Sequence, residues 1–268
     1  VAELTQNSLV SGVQLVRVES SSAGRREDVV VREVPVTIFL NDEEFVTTIC
    51  SPSAIEALVA GFLFVEGIIA DRKDLLGIKV RPEEGLVWVE TARPTEAEAL
   101  FLKRCLASCC GRGRSAFYFV NDAGLKPVEA EGFTVTTSQL FALNEERERR
   151  SVTFRTTGGT HNAALCTPEE ILYFEEDIGR HNAVDKVLGR AFLEGVPFRD
   201  KLIFLSGRVS SEMVVKAART GVPLIASRAA PTDLALEMAD KLNIGVVGFV
   251  RGDCLNIYTR PERVRVGE

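Results

Sequence analysis

The sequence predicts an α/β protein in two parts, a three-layer α/β/α domain over residues 137–268 and a smaller N-terminal α+β domain over residues 1–136. Three observations carry this expectation. After residue 150, short apolar runs alternate with amphipathic stretches of helical length, the pattern of a largely parallel sheet covered by helices on both faces. Before it, β-rich runs flank a single strong helical stretch, which reads as α+β. The 268 residues, 46% hydrophobic and 26% charged, can bury a real core, and a chain of this size fits two domains of about 100–150 residues each.

Along the chain, residues 1–28 are polar and end in Ser20-Ser21-Ser22-Ala23-Gly24-Arg25-Arg26, which reads as a surface arm or a loop between edge strands. Residues 29–39 are rich in Val and Ile, with Pro35 marking an edge position, and Asn41-Asp42-Glu43 turns them into a second strand at 45–49, forming a hairpin. Ser51-Pro52-Ser53 opens a helix with Ile55, Leu58, Val59, Phe62 and Leu63 at helical spacing and Gly67 near its end. Strands at 78–80 and 86–90 and a helix at 95–106 follow. Residues 107–136, with an aromatic strand Phe117-Tyr118-Phe119, read as the inter-domain connection. A charged helix spans 137–150. Strands are then expected at 152–154, 163–166, 171–174, 202–205, 224–226, 246–250 and 255–258. The helices between them are one carrying Val184, Val187, Leu188, Ala191 and Phe192 on one face, one over 211–220 stopped by Gly221, and one opening at Pro231 and ending near Asn243-Ile244-Gly245.

A net charge of −6 and a pI near 5.3 argue against a nucleic-acid coat or a polybasic membrane surface, because neither has its counter-charge. Anionic ligands must be met by local basic pockets. No stretch approaches the roughly 20 apolar residues of a spanning helix; the longest apolar run, at 57–70, is broken by Gly61, Glu66 and Gly67. Val1-Ala2-Glu3-Leu4-Thr5 has no secretory pattern, so a cytoplasmic protein is expected, with its six cysteines (Cys50, Cys105, Cys109, Cys110, Cys166, Cys254) as thiols.

Ligands of open α/β sheets lie outside the carboxyl ends of the strands, where helix N-termini are presented. The turns expected there read Arg155-Thr156-Thr157-Gly158-Gly159-Thr160-His161-Asn162, Glu176-Asp177-Ile178-Gly179-Arg180-His181-Asn182, Ser206-Gly207-Arg208-Val209-Ser210-Ser211 and Ser227-Arg228-Ala229-Ala230-Pro231-Thr232-Asp233. An acidic chain with Arg155, Arg180, Arg208 and Arg228 at one sheet edge has the makings of a site for a nucleotide or pyrophosphate. The competing reading pairs each Arg with a nearby acid such as Glu175, Glu176 or Asp233; Asp177, Asp185 and Asp233 read as helix caps or as partners of ligand or Arg. No Walker A motif is present, and Gly158-Gly159 alone is a weak phosphate signal. His161 and His181, the only histidines, are expected at strand-to-helix turns, as ligand contacts or simple caps. A zinc site lacks its ligands, so no metal is expected. Cys109-Cys110 lies between Ser108 and Gly111-Arg112-Gly113-Arg114, where neighbouring guanidinium groups favour thiolate; it is either a nucleophilic, sulfur-carrying pair or an inert loop pair. Cys50, Cys105 and Cys254 read as small buried side chains.

The four motif stretches, extended through Ala183-Val184-Asp185-Lys186, Glu212-Met213 and Leu234-Ala235, closely resemble the FdhD/NarQ family, the formate dehydrogenase accessory sulfurtransferases. The resemblance runs from about residue 36 to residue 258 and is weaker in the first half. It implies a sulfur carrier that takes persulfide sulfur from a cysteine desulfurase and passes it to the molybdenum or tungsten bis-guanine-dinucleotide cofactor, molybdenum bis(molybdopterin guanine dinucleotide), of formate dehydrogenase. It also implies a cytidine-deaminase-like C-terminal domain without zinc, and a homodimer. The family's sulfur-bearing C-G-x-C loop matches Cys110-Gly111-Arg112-Gly113, which makes Cys110 the catalytic cysteine and puts Gly113 in place of the second one. The family's cofactor-binding stretch matches Phe249, Val250, Arg251, Gly252, Asp253 and Cys254. Together with Arg155, Thr160, His161, Arg180, His181, Ser206, Gly207, Arg208, Ser227 and Arg228 these are the expected cofactor contacts, for which GDP is an analogue of one arm. The rival expectation is a non-enzymatic chaperone that binds the cofactor and apo-formate dehydrogenase; a nucleotide hydrolase or deaminase lacks its metal ligands.

Overall fold

The computed structural model describes residues 9–92 and 124–267. The expected helix at 95–106, the strand at 117–119 and the Cys109-Cys110 loop lie outside them.

Val10–Glu19 (β1) and Ser22–Val31 (β2) pair antiparallel as a two-stranded hairpin of their own. Strands at residues 10–31 replace the surface arm or loop expected before residue 29. The hairpin is a backbone ladder with most side chains in solvent, Val16 and Val18 of the alternating run Val16-Arg17-Val18-Glu19 among them. The run read as one strand from residue 29 is the end of β2 followed by β3 (Val34–Leu40). With β4 (Glu43–Cys50), β5 (Leu75–Arg81) and β6 (Leu86–Thr91), β3 forms a four-stranded sheet of order β4-β3-β6-β5. Val36, Ile38, Leu40, Val87 and Val89 of this sheet and Ile55, Leu58, Val59 and Leu63 of α1 (Ile55–Val65) share one core.

The second sheet has six strands in the order β13-β12-β11-β10-β8-β9, built from β8 (His161–Cys166), β9 (Ile171–Asp177), β10 (Leu202–Leu205), β11 (Leu224–Ser227), β12 (Gly245–Arg251) and β13 (Cys254–Thr259). Side chains alternate across it. Ala163, Leu165, Ile203, Leu205, Ile225 and Val246 meet α4 (Arg180–Glu194), α5 (Ser211–Thr220) and α6 (Asp233–Lys241) on one face. Ala164, Cys166, Phe204, Leu224, Ala226 and Val247 meet Leu140 and Leu143 of α2 (Thr137–Arg150) on the other. Helices therefore cover both faces, and doubly buried strands read as continuous apolar runs. The short strands β7 (Val135–Thr136) and β14 (Val264–Arg265) pair parallel beside α2, whose first turn is closed by a Thr136–Gln139 capping box.

Two expectations are corrected here. The sheet is mixed rather than largely parallel: β10, β11 and β12 are parallel neighbours, whereas β8 is antiparallel to both β9 and β10, and β13 to β12. Thr167-Pro168-Glu169-Glu170 between β8 and β9 is too short for a crossover helix, so those strands can only form a hairpin. The strand expected at 152–154 is instead the first half of a helix, α3 (Val152–Thr157). Glu176 of β9 accepts from the backbone N–H of Thr153 and of Phe154, each at 2.9 Å, and a left-handed Gly158 closes the other end. These distant caps override the strand propensity of Val-Thr-Phe.

The two parts meet where α1 crosses α4. A Cβ built on Gly189 would lie 1.8 Å from the Ala57 carbonyl oxygen, and one on Gly61 1.9 Å from that of Asp185. The crossing is backbone against backbone and admits only glycine on these faces. It places the β4–α1 junction against the β9–α4 turn.

Candidate functional site

Because β8 runs opposite to β9, β10, β11 and β12, its N-terminal end lies at the edge where their carboxyl ends emerge. The 155–162 stretch leads into β8 rather than out of a strand, which corrects the expectation that His161 follows a strand; it begins one. All four motif stretches nonetheless converge on this edge. A cavity of about 550 Å³ opens there, lined by Arg147, Glu148, Ser151, Phe154, Arg155, Gly158, Gly159, Thr160, His161, Asn162, Ile178, Ser206 and Arg228.

One wall is held by Arg147. Its guanidinium is buried, donating to Asn162 Oδ1 at 2.6 Å and Asn144 Oδ1 at 2.8 Å, and it lies 5.3 Å from the centre of the Phe204 ring. Burial lowers its pKa to about 10, opposed by Glu148, so it remains a cation at neutral pH. Asn162 Nδ2 also donates to Ser151 Oγ at 2.9 Å, and its backbone N–H donates to Ser206 Oγ at 2.9 Å. The network joins α2, α3, β8 and the β10–α5 loop. Thr160 is buried, donating to Glu176 at 3.2 Å, on the carboxylate that caps α3.

The four turn arginines differ in their surroundings. Arg155 is tied to the C-terminal carbonyls of α2, donating to Glu148 O and, at 3.0 Å, to Arg149 O. Arg228, about half exposed, places Nε 3.5 Å from Glu148 Oε1. Arg180 runs beside Gly207 and His161, with a buried Nε that has no hydrogen-bond partner among the described residues. Arg208 is exposed. The acids proposed as their partners are engaged elsewhere. Glu175 pairs with Arg190 at 2.9 Å, Glu176 caps α3, and Asp177 pairs with Lys186 at 2.6 Å with both side chains fully buried. Asp185 pairs with Lys216, and Asp233 accepts from the Leu234 N–H at 2.8 Å.

His161 is held below the ordinary histidine range, first by burial and then by Arg180 and His181; its Nδ1 is 3.5 Å from Ser206 Oγ. His181 does not line the cavity and sits within hydrogen-bond distance of Glu212 on α5. Ser227 is buried, donating to Gly207 O at 2.7 Å and accepting from Ala229 N–H at 3.0 Å. With the Val209–Pro231 bridge it stitches the 206–210 and 227–232 loops together.

The stretch Phe249, Val250, Arg251, Gly252, Asp253, Cys254 forms the end of β12 and its turn into β13, at the same edge but beside the cavity rather than in its lining. Phe249 has a left-handed φ of 53°, and its N–H donates to Ala229 O at 3.2 Å. Val250 is part of the core. Arg251 donates to Arg228 O at 3.0 Å and packs over Phe249. Cys254 is exposed, correcting the expectation of burial, because it starts an edge strand; Asp253 raises its thiol pKa. Cys50 is buried as expected and its thiol pKa is pushed up to about 12. Cys110 lies outside the described residues. Among those residues no group of three or more His, Cys, Asp and Glu is placed to hold a metal ion, and no helix is long and apolar enough to cross a membrane.

Arg147, Glu148, Ser151, Phe154, Asn162 and Ile178 were not picked out from the sequence as site residues. One signal was present: Leu140, Leu143, Asn144 and Arg147 fall at helical spacing on the buried face of α2.

A model of the FdhD/NarQ family matches residues 31–265. Proteins named sulfur carrier protein FdhD are similar over nearly their whole length. That of Halalkalibacterium halodurans is 44% identical over 261 residues, 96% of each chain, and that of Bacillus subtilis is 44% identical over 261 residues, 97% of this chain and 99% of its own. A crystal structure described as a formate dehydrogenase accessory protein of Desulfotalea psychrophila superposes with a TM-score of 0.79 at 27% identity, covering 96% of this chain and all of that one. By this match, which spans both sheets and every motif at the cavity edge, the chain belongs to the FdhD/NarQ family.

Proposed function

We propose that this protein is a cytoplasmic sulfur carrier that accepts persulfide sulfur from a cysteine desulfurase and passes it to the molybdenum or tungsten bis-guanine-dinucleotide cofactor of a formate dehydrogenase. The observation that carries the reading is the family match over residues 31–265, together with near-full-length relatives named as sulfur carriers. Cys110 is the sulfur-bearing residue. Its thiolate, favoured by Arg112 and Arg114 next to it in sequence, attacks the outer sulfur of the desulfurase persulfide and displaces the desulfurase thiolate. The cavity at the sheet edge takes one guanine-nucleotide arm of the cofactor, which is cargo here. The size of the cavity, within the usual few hundred to about 1,000 Å³ of small-molecule sites, and its arginines support that part of the reading. A homodimer provides one such cavity for each arm.

Intact-mass measurement after incubation with a desulfurase and cysteine tests the carrier role. One added sulfur on the wild type and none on Cys110→Ala is the expected result. A Cys110→Ala protein that still binds GDP and restores formate dehydrogenase activity fully would instead identify a cofactor-binding chaperone.

A further inference from the structure

We infer that Glu148 selects guanine in the cavity by accepting hydrogen bonds from its N1–H and 2-amino group; this rests on the nucleotide reading of the site given above. The last turn of α2 holds the residue firmly. Its backbone carbonyl accepts from Arg155, and Oε1 lies 3.5 Å from Arg147 Nη2 and 3.5 Å from Arg228 Nε, with Asn144 Nδ2 donating to it at 3.4 Å. Oε2 has no hydrogen bond among the described residues. Phe154, on the same cavity, leaves an aromatic ring partly exposed, a surface on which a base can stack.

A carboxylate between two guanidinium groups is out of place in a site for phosphate alone, since it repels every anion that enters. It becomes useful when the ligand also presents donors. Guanine offers two adjacent donors that match the two oxygens of a carboxylate. Hypoxanthine offers one, and adenine presents a bare ring nitrogen at N1. Binding of diphosphates should therefore fall in the order GDP, IDP, ADP.

Titration of the full chain with GDP, IDP, ADP, XDP and inorganic pyrophosphate, in the wild type and Glu148→Gln, tests the assignment. The Gln amide keeps one acceptor for N1–H and presents a donor where guanine has its amino group and xanthine a carbonyl. Loss of a charge-assisted bond should weaken GDP about tenfold or more, strengthen XDP relative to GDP, and leave pyrophosphate equal or tighter, because a repelling charge is gone. A Glu148→Gln protein with an unchanged GDP-to-XDP ratio, or one that loses GDP and pyrophosphate alike, overturns the role of Glu148 and leaves the nucleotide site standing. A wild type that binds pyrophosphate but discriminates no base also overturns it. A wild type that binds neither GDP nor pyrophosphate at low salt overturns the nucleotide reading itself.

Discussion

Removing one partner of the Asp177–Lys186 pair should cost more stability than any other single polar change in the described structure. Lys186 Nζ lies 2.6 Å from Asp177 Oδ2 and donates to Ser51 O at 3.1 Å and to Ser53 Oγ at 3.2 Å. Asp177 in turn accepts from Ser51 N–H at 3.0 Å, Gly179 N–H at 2.8 Å and Asn182 Nδ2 at 2.9 Å. Both side chains are fully buried. In Lys186→Met the Asp177 carboxylate stays in the interior without its counter-charge, a loss of about 3–5 kcal/mol, which is a large share of the roughly 5–15 kcal/mol that holds a typical domain folded. Urea unfolding measures it, with far-UV circular dichroism for the whole chain and Trp88, the single tryptophan, reporting on the four-stranded sheet. Removing both charges, as in Asp177→Asn/Lys186→Met, should recover more than half of the loss. A Lys186→Met protein destabilised by less than about 1 kcal/mol, or a double variant no more stable than the single, would refute the reasoning, since an uncompensated buried charge is its only source.

The α1–α4 crossing should tolerate no side chain: Gly189→Ala forces the helices apart at backbone atoms on both sides and is expected to cost about 3 kcal/mol, roughly 6–12 °C in Tm for a chain of this size; a change under about 2 °C by calorimetry would show the crossing is looser than drawn. His161 is held below its ordinary pKa by burial, Arg180 and His181, so as pH falls below about 6.5 the unfolded chain takes up the proton first and stability is lost down to the folded value. His161→Gln should flatten that part of the profile of urea midpoints between pH 7.5 and 5.5, and an unchanged slope would mean the histidine is not the titrating group. Neighbouring cysteines close a strained ring and Gly113 supplies no thiol, so Cys109→Ser should keep most sulfur transfer; activity as low as that of Cys110→Ala would establish a two-thiol relay.

What the sequence made legible follows from where each element's information lies. The inner strands β8, β10, β11 and β12 read as apolar runs because both faces are buried, and α5 ended where Gly221 takes a left-handed φ. The β1–β2 hairpin was passed over because it buries little and its flank is polar, although Val16-Arg17-Val18-Glu19 alternates as a strand does. The helix α3 was illegible for a different reason: its N-terminal cap is supplied by Glu176, 22 and 23 residues later, so local propensity pointed to a strand. Arg147 was concealed in a run of charges, Glu145-Glu146-Arg147-Glu148-Arg149-Arg150, whose composition suggests a solvated face. Only its spacing from Leu140 and Leu143 separates it from Arg149 and Arg150, which pair with Glu146 on the surface.

The strand directions bear on why the four motif stretches nevertheless share one edge. Convergence of the motifs was inferred from a parallel sheet that the protein does not have, and it holds because β8 reverses and presents its N-terminal end at the same edge. The reversal has a chemical consequence. A strand entering the edge is preceded by α3 and the glycine pair, so Arg155 points back to the end of α2 and serves as a tether, while the strands leaving the edge place Arg228 and Arg208 beyond their ends. Counting guanidinium groups by motif therefore overstates the charge that meets a ligand. Arg155 and Arg147 build the wall, Arg228 and Arg208 stay exposed at the strand ends, and Glu148 stands between Arg147 and Arg228. Under the proposed nucleotide reading, that division suits a base carrying two phosphates better than a phosphate group alone.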